Sequence, residues 1–136
     1  MGTRSLTHIK DGNKTLLTIY RQYDGYPTGL GAELYEFLKD FTVVNGFGSK
    51  LPNLANGIGC LAAQIVGHLK DGVGNVYIYP PNSKDCGEEY IYTISLKKNE
   101  INLKVEEAGW DKPNTVIYNG CLAGFASEVL TEKEAA

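Results

Sequence analysis

The chain has 136 residues, of which 43% are hydrophobic and 21% charged, and its 13 basic and 16 acidic residues give a formal net charge of −3. This composition is typical of a globular protein, and the length predicts a single domain over residues 1–136. The slight acidity and the lack of a basic cluster disfavour nucleic-acid binding. No apolar run reaches the roughly 18 residues that a membrane span needs, so no membrane association is expected.

The N-terminal segment, the cysteines and the histidines indicate no specific chemical function. MGTRSLTHIKDG has no apolar leader segment, which predicts a cytoplasmic protein. Cys60, Cys86 and Cys121 form no C-x-x-C pair, and their odd number favours reduced thiols over disulfides. The two histidines, His8 and His68, form no metal motif, so we expect no metal and no other cofactor.

The first predicted elements are a β-hairpin and a helix. Residues 4–10 and 15–23 are β-rich and flank the turn signal DGNK. The stretch RQYDGYPTGLG (residues 21–31) then forms a corner, in which Asp24 and Gly25 turn the chain and Thr28 caps the next helix. That helix is predicted over about residues 29–40, because its apolar residues recur with helical spacing.

The middle of the chain is predicted to hold a long connection and a second helix. Residues 42–56 follow neither the helical nor the strand period, and a loop of this length is uncommon unless it has a role. A helix is predicted over about residues 57–70. It has no charged residue from Ile58 to Leu69, and its small residues suit close approach by another backbone. We therefore expect a central helix that is covered on most sides.

The rest of the chain is predicted to be mostly strands. Residues 75–80, 89–96, 101–107 and 114–119 are predicted strands, the middle two forming a hairpin about KKNE. A C-terminal helix begins near Cys121 and frays into an acidic tail over residues 128–136. The order ββααββββα indicates an α+β fold: a mostly antiparallel sheet of about six strands, two central helices packed on it and a C-terminal helix.

Glycine motifs favour packing over nucleotide binding. Gly57-Ile58-Gly59 extends through Ala62 to a partial dinucleotide fingerprint. That motif is meaningful only after a strand within a βαβ unit, and KLPNLAN does not predict such a strand. Glycines that permit tight turns and close packing are therefore the favoured interpretation.

One polar row on the second helix is the best candidate for chemistry. Cys60, Gln64 and His68 recur every four residues, on the side away from the apolar stripe. Cys60 and His68 are roughly 12 Å apart along the axis, too far to form a dyad. Hydrogen-bonded structural roles are favoured. If the protein is an enzyme, Cys60 is the candidate nucleophile, which a histidine of the sheet such as His8 could also approach, and His68 is the candidate base.

The candidate ligand-binding residues come from three segments: the 21–31 corner, the 42–56 loop and the helix row. Arg21 would anchor an anion, and its neighbouring tyrosines suit interfaces or sugar-like ligands. The full set is Arg21, Tyr23, Asp24, Tyr26, Asn45, Asn56 and Gln64.

Four short segments carry a family resemblance. TRSL, IYRQYDGYPTGLG, VNGFGS and NGIGCLAAQ, within about residues 3–79, resemble a family of small proteins without an assigned activity, encoded in phage and environmental (marine) genomes. The resemblance implies a viral or microbial cytoplasmic protein, and it supplies no catalytic residues.

Two functional hypotheses follow. The first is a small non-enzymatic binding or accessory protein that self-associates through its tyrosine-rich strands as a homo-oligomer, with a host or viral protein as a further partner. The alternative is a small enzyme or small-molecule-binding protein whose site is formed by the 21–31 corner, the 42–56 loop and the Cys60/Gln64/His68 row.

Overall fold

A computed structural model describes residues 2–44, 46 and 53–130. Within these residues the strands are β1 (Ser5–Asp11), β2 (Lys14–Arg21), β3 (Thr42–Val44), β4 (Leu54–Asn56), β5 (Val76–Tyr79), β6 (Tyr90–Lys97), β7 (Glu100–Glu107) and β8 (Thr115–Cys121). The helices are α1 (Ala32–Leu38), α2 (Gly57–Leu69) and α3 (Leu122–Phe125). A π-helical turn, Pro27–Gly31, leads into α1, and another, Ala126–Leu130, extends α3.

Six of the strands form one mixed sheet in the order β5-β2-β1-β6-β7-β8. Neighbours are antiparallel except for β1 and β6, which run parallel. The predicted α+β class with a mostly antiparallel six-stranded sheet is therefore confirmed. The parallel pair at its centre joins an N-terminal half to a C-terminal half of the sheet.

Both predicted hairpins are present. Gly12 adopts a φ of 62° between β1 and β2, a conformation that glycine reaches without steric cost. Lys98 and Asn99 have φ values of 53° and 63° between β6 and β7, as a two-residue hairpin turn requires. Asn tolerates this left-handed region better than most residues, which is why KKNE is a good turn sequence.

The hydrophobic core lies between one face of the sheet and the helices. Alternate residues of the strands supply the sheet side, and α1 and α2 supply their apolar stripes. Phe125 of α3 is fully buried beside them. The largest buried members are Ile9, Ile19, Leu30, Leu34, Leu38, Leu61, Ile65, Tyr92, Ile94, Leu103 and Phe125.

The opposite face of the sheet is covered in part by the loop between β5 and β6. Asn82 donates its N–H to the buried Thr18 hydroxyl at 3.1 Å, and buried Glu88 accepts from the N–H groups of Asp85 and Cys86. Nearby, the Tyr20 ring stacks on Tyr79 with centroids 4.8 Å apart. These tyrosines therefore pack within the molecule.

The ends of the predicted 42–56 loop form strands, so the prediction of a wholly irregular connection is wrong. Thr42 pairs with Leu54 and Val44 with Asn56 in a small parallel sheet. Strands of three residues are too short for alternation to show in the sequence. Asn45 and residues 47–52, which belong to the same predicted loop, lie outside the described residues.

The helix α2 is buried on one side only, so the prediction of a helix covered on most sides is wrong. Gly59, Ala63 and Gly67 are exposed, and a side chain placed at either glycine would meet no atom within 4 Å. An uncharged face of small residues has little apolar area, so leaving it in water costs little. None of the helices in the described part of the chain has the length and apolar character of a membrane span.

The start of the first helix and the end of the last helix both differ in detail from the prediction. Thr28 does not cap the first helix: Tyr26 stands at the N-cap position without a side-chain bond, and Pro27 follows at the first helical position. Proline is well suited there, because it has no N–H to leave unpaired. At the C-terminus the helical turns continue to Leu130, and residues 131–136 of the predicted tail lie outside the described residues.

Candidate functional site

Arg21 is engaged within the protein. Its guanidinium forms an ion pair with Glu33 of α1 and donates through Nε to the Tyr23 carbonyl at 2.8 Å. The Arg21 side chain is only 11% exposed. Its charge is therefore matched internally, and the geometry does not support the predicted role as an anion anchor.

The 21–31 corner is held rigidly by buried hydrogen bonds. The Tyr92 hydroxyl donates to the Gly25 carbonyl at 2.7 Å and lies close to the backbone of Gly31. Asp24 adopts a φ of 59°, and its carbonyl accepts from the Leu30 N–H. The corner is thus a fixed platform, which positions the exposed Tyr26 at its outer side.

The predicted helix row is hydrogen-bonded to its surroundings. The Cys60 thiol donates to the Gln64 side chain at 3.4 Å, and Gln64 donates to the Leu54 carbonyl of β4 at 3.3 Å. His68 stacks on Phe37 of α1, with ring centroids 4.0 Å apart. Asn56 accepts from the Gly46 N–H at 2.9 Å. These contacts tie α2 to β4 and α1, and neither of the two cavities described below brings the row together with the corner.

His8 lies on the sheet face away from α2. It bonds to Thr18 at 2.8 Å, whereas the residues before and after it, Thr7 and Ile9, face the helices. Burial and the neighbouring Lys10 lower the pKa of His8, an effect opposed by Glu88 and Glu106. Since the sheet separates His8 from Cys60, the two cannot form a nucleophile–base pair.

The three cysteines are free thiols with different environments. Cys60 is exposed, whereas burial and the adjacent carboxylates of Glu88 and Asp85 raise the pKa of Cys86. Because the thiolate is the reactive form, we expect Cys86 to alkylate several-fold more slowly than Cys60 at neutral pH. We expect Cys60 itself to react no faster than a free model thiol.

Peptide mass spectrometry after timed iodoacetamide treatment measures both rates. Alkylation of Cys60 well above the model-thiol rate would restore it as a candidate nucleophile. Equal rates at Cys60 and Cys86 would contradict the assigned environments.

The topology around α2 does not match a dinucleotide site. A short strand, β4, does precede Gly57, contrary to the expectation from KLPNLAN. However, α2 leads into β5, which lies antiparallel to β2 in the other sheet, so no βαβ crossover forms. Among the described residues, no three His, Cys, Asp or Glu side chains are placed to hold a metal ion.

An aromatic and acidic pocket opens at one end of the sheet. Its cavity of about 370 Å³ is lined by Thr3, Tyr26, Glu89, Tyr90, Glu107, Ala108 and Trp110. The strand register brings them together, since Ser5 pairs with Tyr90 and Tyr90 pairs with Glu107. The volume lies within the usual range for small-molecule sites. Tyr26 is the one predicted ligand-binding residue that lines it.

A compact loop presents Trp110 to this pocket. The loop is fastened at its base, where the Ala108 N–H donates to the Glu89 carbonyl and the Gly109 N–H to the Asn114 side chain. A side chain at Gly109 would lie 2.3 Å from the Lys112 carbonyl oxygen, so only glycine fits. Trp110 remains 70% exposed. Because Trp110 also lines the pocket, its indole ring is available to a ligand there.

The pocket has a negative electrostatic character. Burial, Glu107 and Glu89 together raise the pKa of Tyr90, which places both carboxylates within electrostatic range of its hydroxyl. Within residues 2–44, 46 and 53–130 neither carboxylate forms an ion pair. Among the described residues, the negative charge at the pocket is therefore not offset by a direct ion pair.

Sequence reasoning missed six of the seven pocket residues, among them Glu89, Tyr90, Glu107 and Trp110. Their nearness depends on the strand pairing, which the sequence does not specify. The single tryptophan in the turn-rich segment GWDKPN was the available signal, because exposed loops that carry a tryptophan often contact a ligand.

A second cavity lies at the other end of the β6–β7 hairpin. It has a volume of about 300 Å³ and is lined by residues that include Phe41, Thr42, Asn99, Glu100 and Cys121. Thr42, the first residue of the predicted 42–56 loop, therefore lines a cavity. This cavity lies at the opposite end of the β6–β7 hairpin from the pocket that contains Tyr26.

The two edges of the six-stranded sheet differ. At β5 the Lys70 ammonium bonds to the Val76 carbonyl at 2.8 Å, and Pro80 and Pro81 follow the strand. The Gln22 N–H donates to the Asn75 carbonyl across the β2–β5 ladder. Because hydrogen-bonded and non-hydrogen-bonded pairs alternate along an antiparallel ladder, the N–H and C=O groups of the next residue, Val76, point away from β2. The Lys70 side chain thus covers part of the edge where another strand would pair.

Among the described residues, the other edge, β8, has neither a covering lysine nor a proline, and a bulge at Ile117 interrupts its pairing with β7. Its sequence TVIYNGC has no charged residue and no proline. A bulge leaves Ile117 opposite the step between Val105 and Glu106, and Val116 and Ile117 are 52% and 38% exposed. Uncharged, apolar edge strands readily pair with another strand.

Comparison with known proteins supplies no relative: no family model matches the chain, and neither curated proteins nor solved structures show a similar one.

Proposed function

We propose that the protein is a small cytoplasmic binding or accessory protein of phage or microbial origin that pairs with a second copy of itself through β8. The observation that carries this proposal is the uncharged edge of β8 with its exposed Val116 and Ile117, at the opposite end of the sheet from the β5 edge that Lys70 partly covers. A host or viral protein is the further partner of this assembly.

The chemistry of the strands supports pairing by β8 rather than by the tyrosine-rich strands. Tyr20 and Tyr79 stack on each other, and Tyr92 and Tyr118 are buried against the core. The exposed apolar side chains of β8 are aliphatic and β-branched, and such residues pack well across paired strands. Two copies of one edge can pair about a two-fold axis, the commonest symmetry of homo-oligomers.

The experiment compares two isoleucines on opposite edges of the sheet. Light scattering coupled to size-exclusion chromatography is expected to give twice the 14.9 kDa chain mass for the unmodified protein. Ile117→Lys places a charge on the β8 edge and is expected to give a monomer. Ile78→Lys is the matched control, because Ile78 is 57% exposed on the β5 edge, and it is expected to remain a dimer.

Circular dichroism on both variants verifies that the fold is retained, as expected for exposed positions. The proposal fails if the unmodified chain is monomeric at its highest soluble concentration. It also fails if Ile78→Lys dissociates the dimer and Ile117→Lys does not.

The alternative function, an enzyme built on Cys60 and His68, has little geometric support. The two side chains interact with Gln64 and Phe37 respectively, and Arg21 is paired with Glu33. The small-molecule part of that alternative has a better location in the aromatic and acidic pocket.

A further inference from the structure

We propose that the pocket lined by Tyr26, Tyr90, Trp110, Glu89 and Glu107 binds a quaternary ammonium group. This inference goes beyond self-association and does not depend on it. The ligand is a small organic cation or a trimethylated lysine side chain, which share the same trimethylammonium chemistry.

The aromatic side chains favour a cation that has an apolar surface. The three side chains Tyr26, Tyr90 and Trp110 come from three separate segments: the corner, the start of β6 and the loop after β7. The faces of aromatic rings carry negative charge density, and they attract a cation placed over them. A trimethylammonium group also has an apolar surface, so its methyl groups gain by leaving water against these rings.

The carboxylates supply the matching charge. Glu89 and Glu107 line the same cavity and have no cationic partner among the described residues. A neutral sugar or an anion would not use this charge, and an anion would be repelled by it. The carboxylates and the aromatic lining therefore agree on a ligand that is both cationic and apolar.

The site is organised before a ligand arrives. Tyr26 stands on the corner that Tyr92 holds in place, and Trp110 stands on the loop that Gly109 and Asn114 close. Tyr90 and Glu107 are directly paired in the β6–β7 ladder. Preorganised groups lose less conformational freedom when they bind, which favours affinity.

The test is a choline titration followed by tryptophan fluorescence. The chain has a single tryptophan, so the signal reports on Trp110 alone. Neohexyl alcohol, in which carbon replaces the quaternary nitrogen of choline, is the neutral control. We expect choline to bind at least about ten-fold more tightly than neohexyl alcohol.

A peptide with trimethyllysine, compared with the unmethylated peptide, distinguishes the two sources of the ligand. Tighter binding of the peptide than of choline assigns the site to a protein side chain, and the reverse order assigns it to a free cation. Equal affinity for choline and neohexyl alcohol, or no binding of either trimethylammonium probe, would overturn the proposal.

Variants identify the residues that bind choline. Their affinities are measured by isothermal titration calorimetry, because this method does not depend on the fluorescence of Trp110. Trp110→Ala is expected to weaken choline binding about ten-fold, and Glu107→Gln up to about five-fold. Tyr26→Ala is expected to weaken it, whereas Tyr23→Ala, at an exposed tyrosine of the same corner outside the pocket, is the matched control and is expected to leave it unchanged. Equal losses for the two tyrosine variants would contradict the assigned pocket. The titration on Ile117→Lys separates ligand binding from self-association.

Discussion

Replacing Phe125 with alanine is expected to lower the free energy of unfolding by about 3–5 kcal/mol. Phe125 is fully buried, and its ring packs against Tyr118 with centroids 5.7 Å apart. The ring also lies so close to Gly31 that a side chain there would come within 2.8 Å of it. Removing it opens a cavity between α3, the corner and the sheet. Urea unfolding followed by circular dichroism measures the loss.

Two further variants keep this prediction informative if Phe125→Ala does not fold. Phe125→Leu retains most of the volume and is expected to cost less than about 1.5 kcal/mol. Trp110→Ala removes a larger but mostly exposed ring and is expected to cost less than about 1 kcal/mol. A loss for Phe125→Ala no greater than that of Trp110→Ala would contradict the buried position of the phenyl ring.

Tyr92→Phe is expected to lower the free energy of unfolding by about 1–3 kcal/mol, although it removes one oxygen atom only. The Tyr92 hydroxyl donates to the Gly25 carbonyl inside the protein, and its loss leaves this buried carbonyl without its donor. Burial also raises the pKa of Tyr92 far above its usual range, so the hydroxyl stays protonated and remains a donor.

The matched control is Tyr77→Phe, which removes a hydroxyl from a tyrosine that is exposed on β5. It is expected to change the free energy of unfolding by less than about 0.5 kcal/mol. Equal effects for the two variants would show that the Tyr92 hydroxyl does not hold the corner.

Local signals predicted most of the fold. DGNK and KKNE gave the two hairpins, and helical spacing of apolar residues gave α1 and α2. What the sequence could not provide was the parallel pairing of β1 with β6, because it joins segments about 85 residues apart and no local pattern encodes that partner. The exposure of the small-residue face of α2 was missed for another reason, since the absence of charge does not require burial.

The candidate site was predictable only in part, because long-range strand pairing brings most of its residues together. Tyr26 was a candidate because RQYDGYPTGLG concentrates aromatic and polar residues in one turn. Its pocket partners Tyr90 and Glu107 are ordinary strand residues in the sequence, and only the ladder places them together. Arg21 was wrongly predicted to anchor an anion, because the sequence does not reveal its ion-pair partner. That partner is Glu33 of the following helix, α1.

The bond from Lys70 to the Val76 carbonyl has a consequence for the size of the proposed assembly. If both sheet edges were open, copies could add one after another and build an unlimited ribbon, as edge-to-edge aggregation does. In the β8–β8 dimer proposed above, the partly covered β5 edges would be the remaining free edges of the paired sheet. If that dimer forms, Lys70→Ala is expected to let dimers associate further, and light scattering would detect this as a mass above that of the dimer.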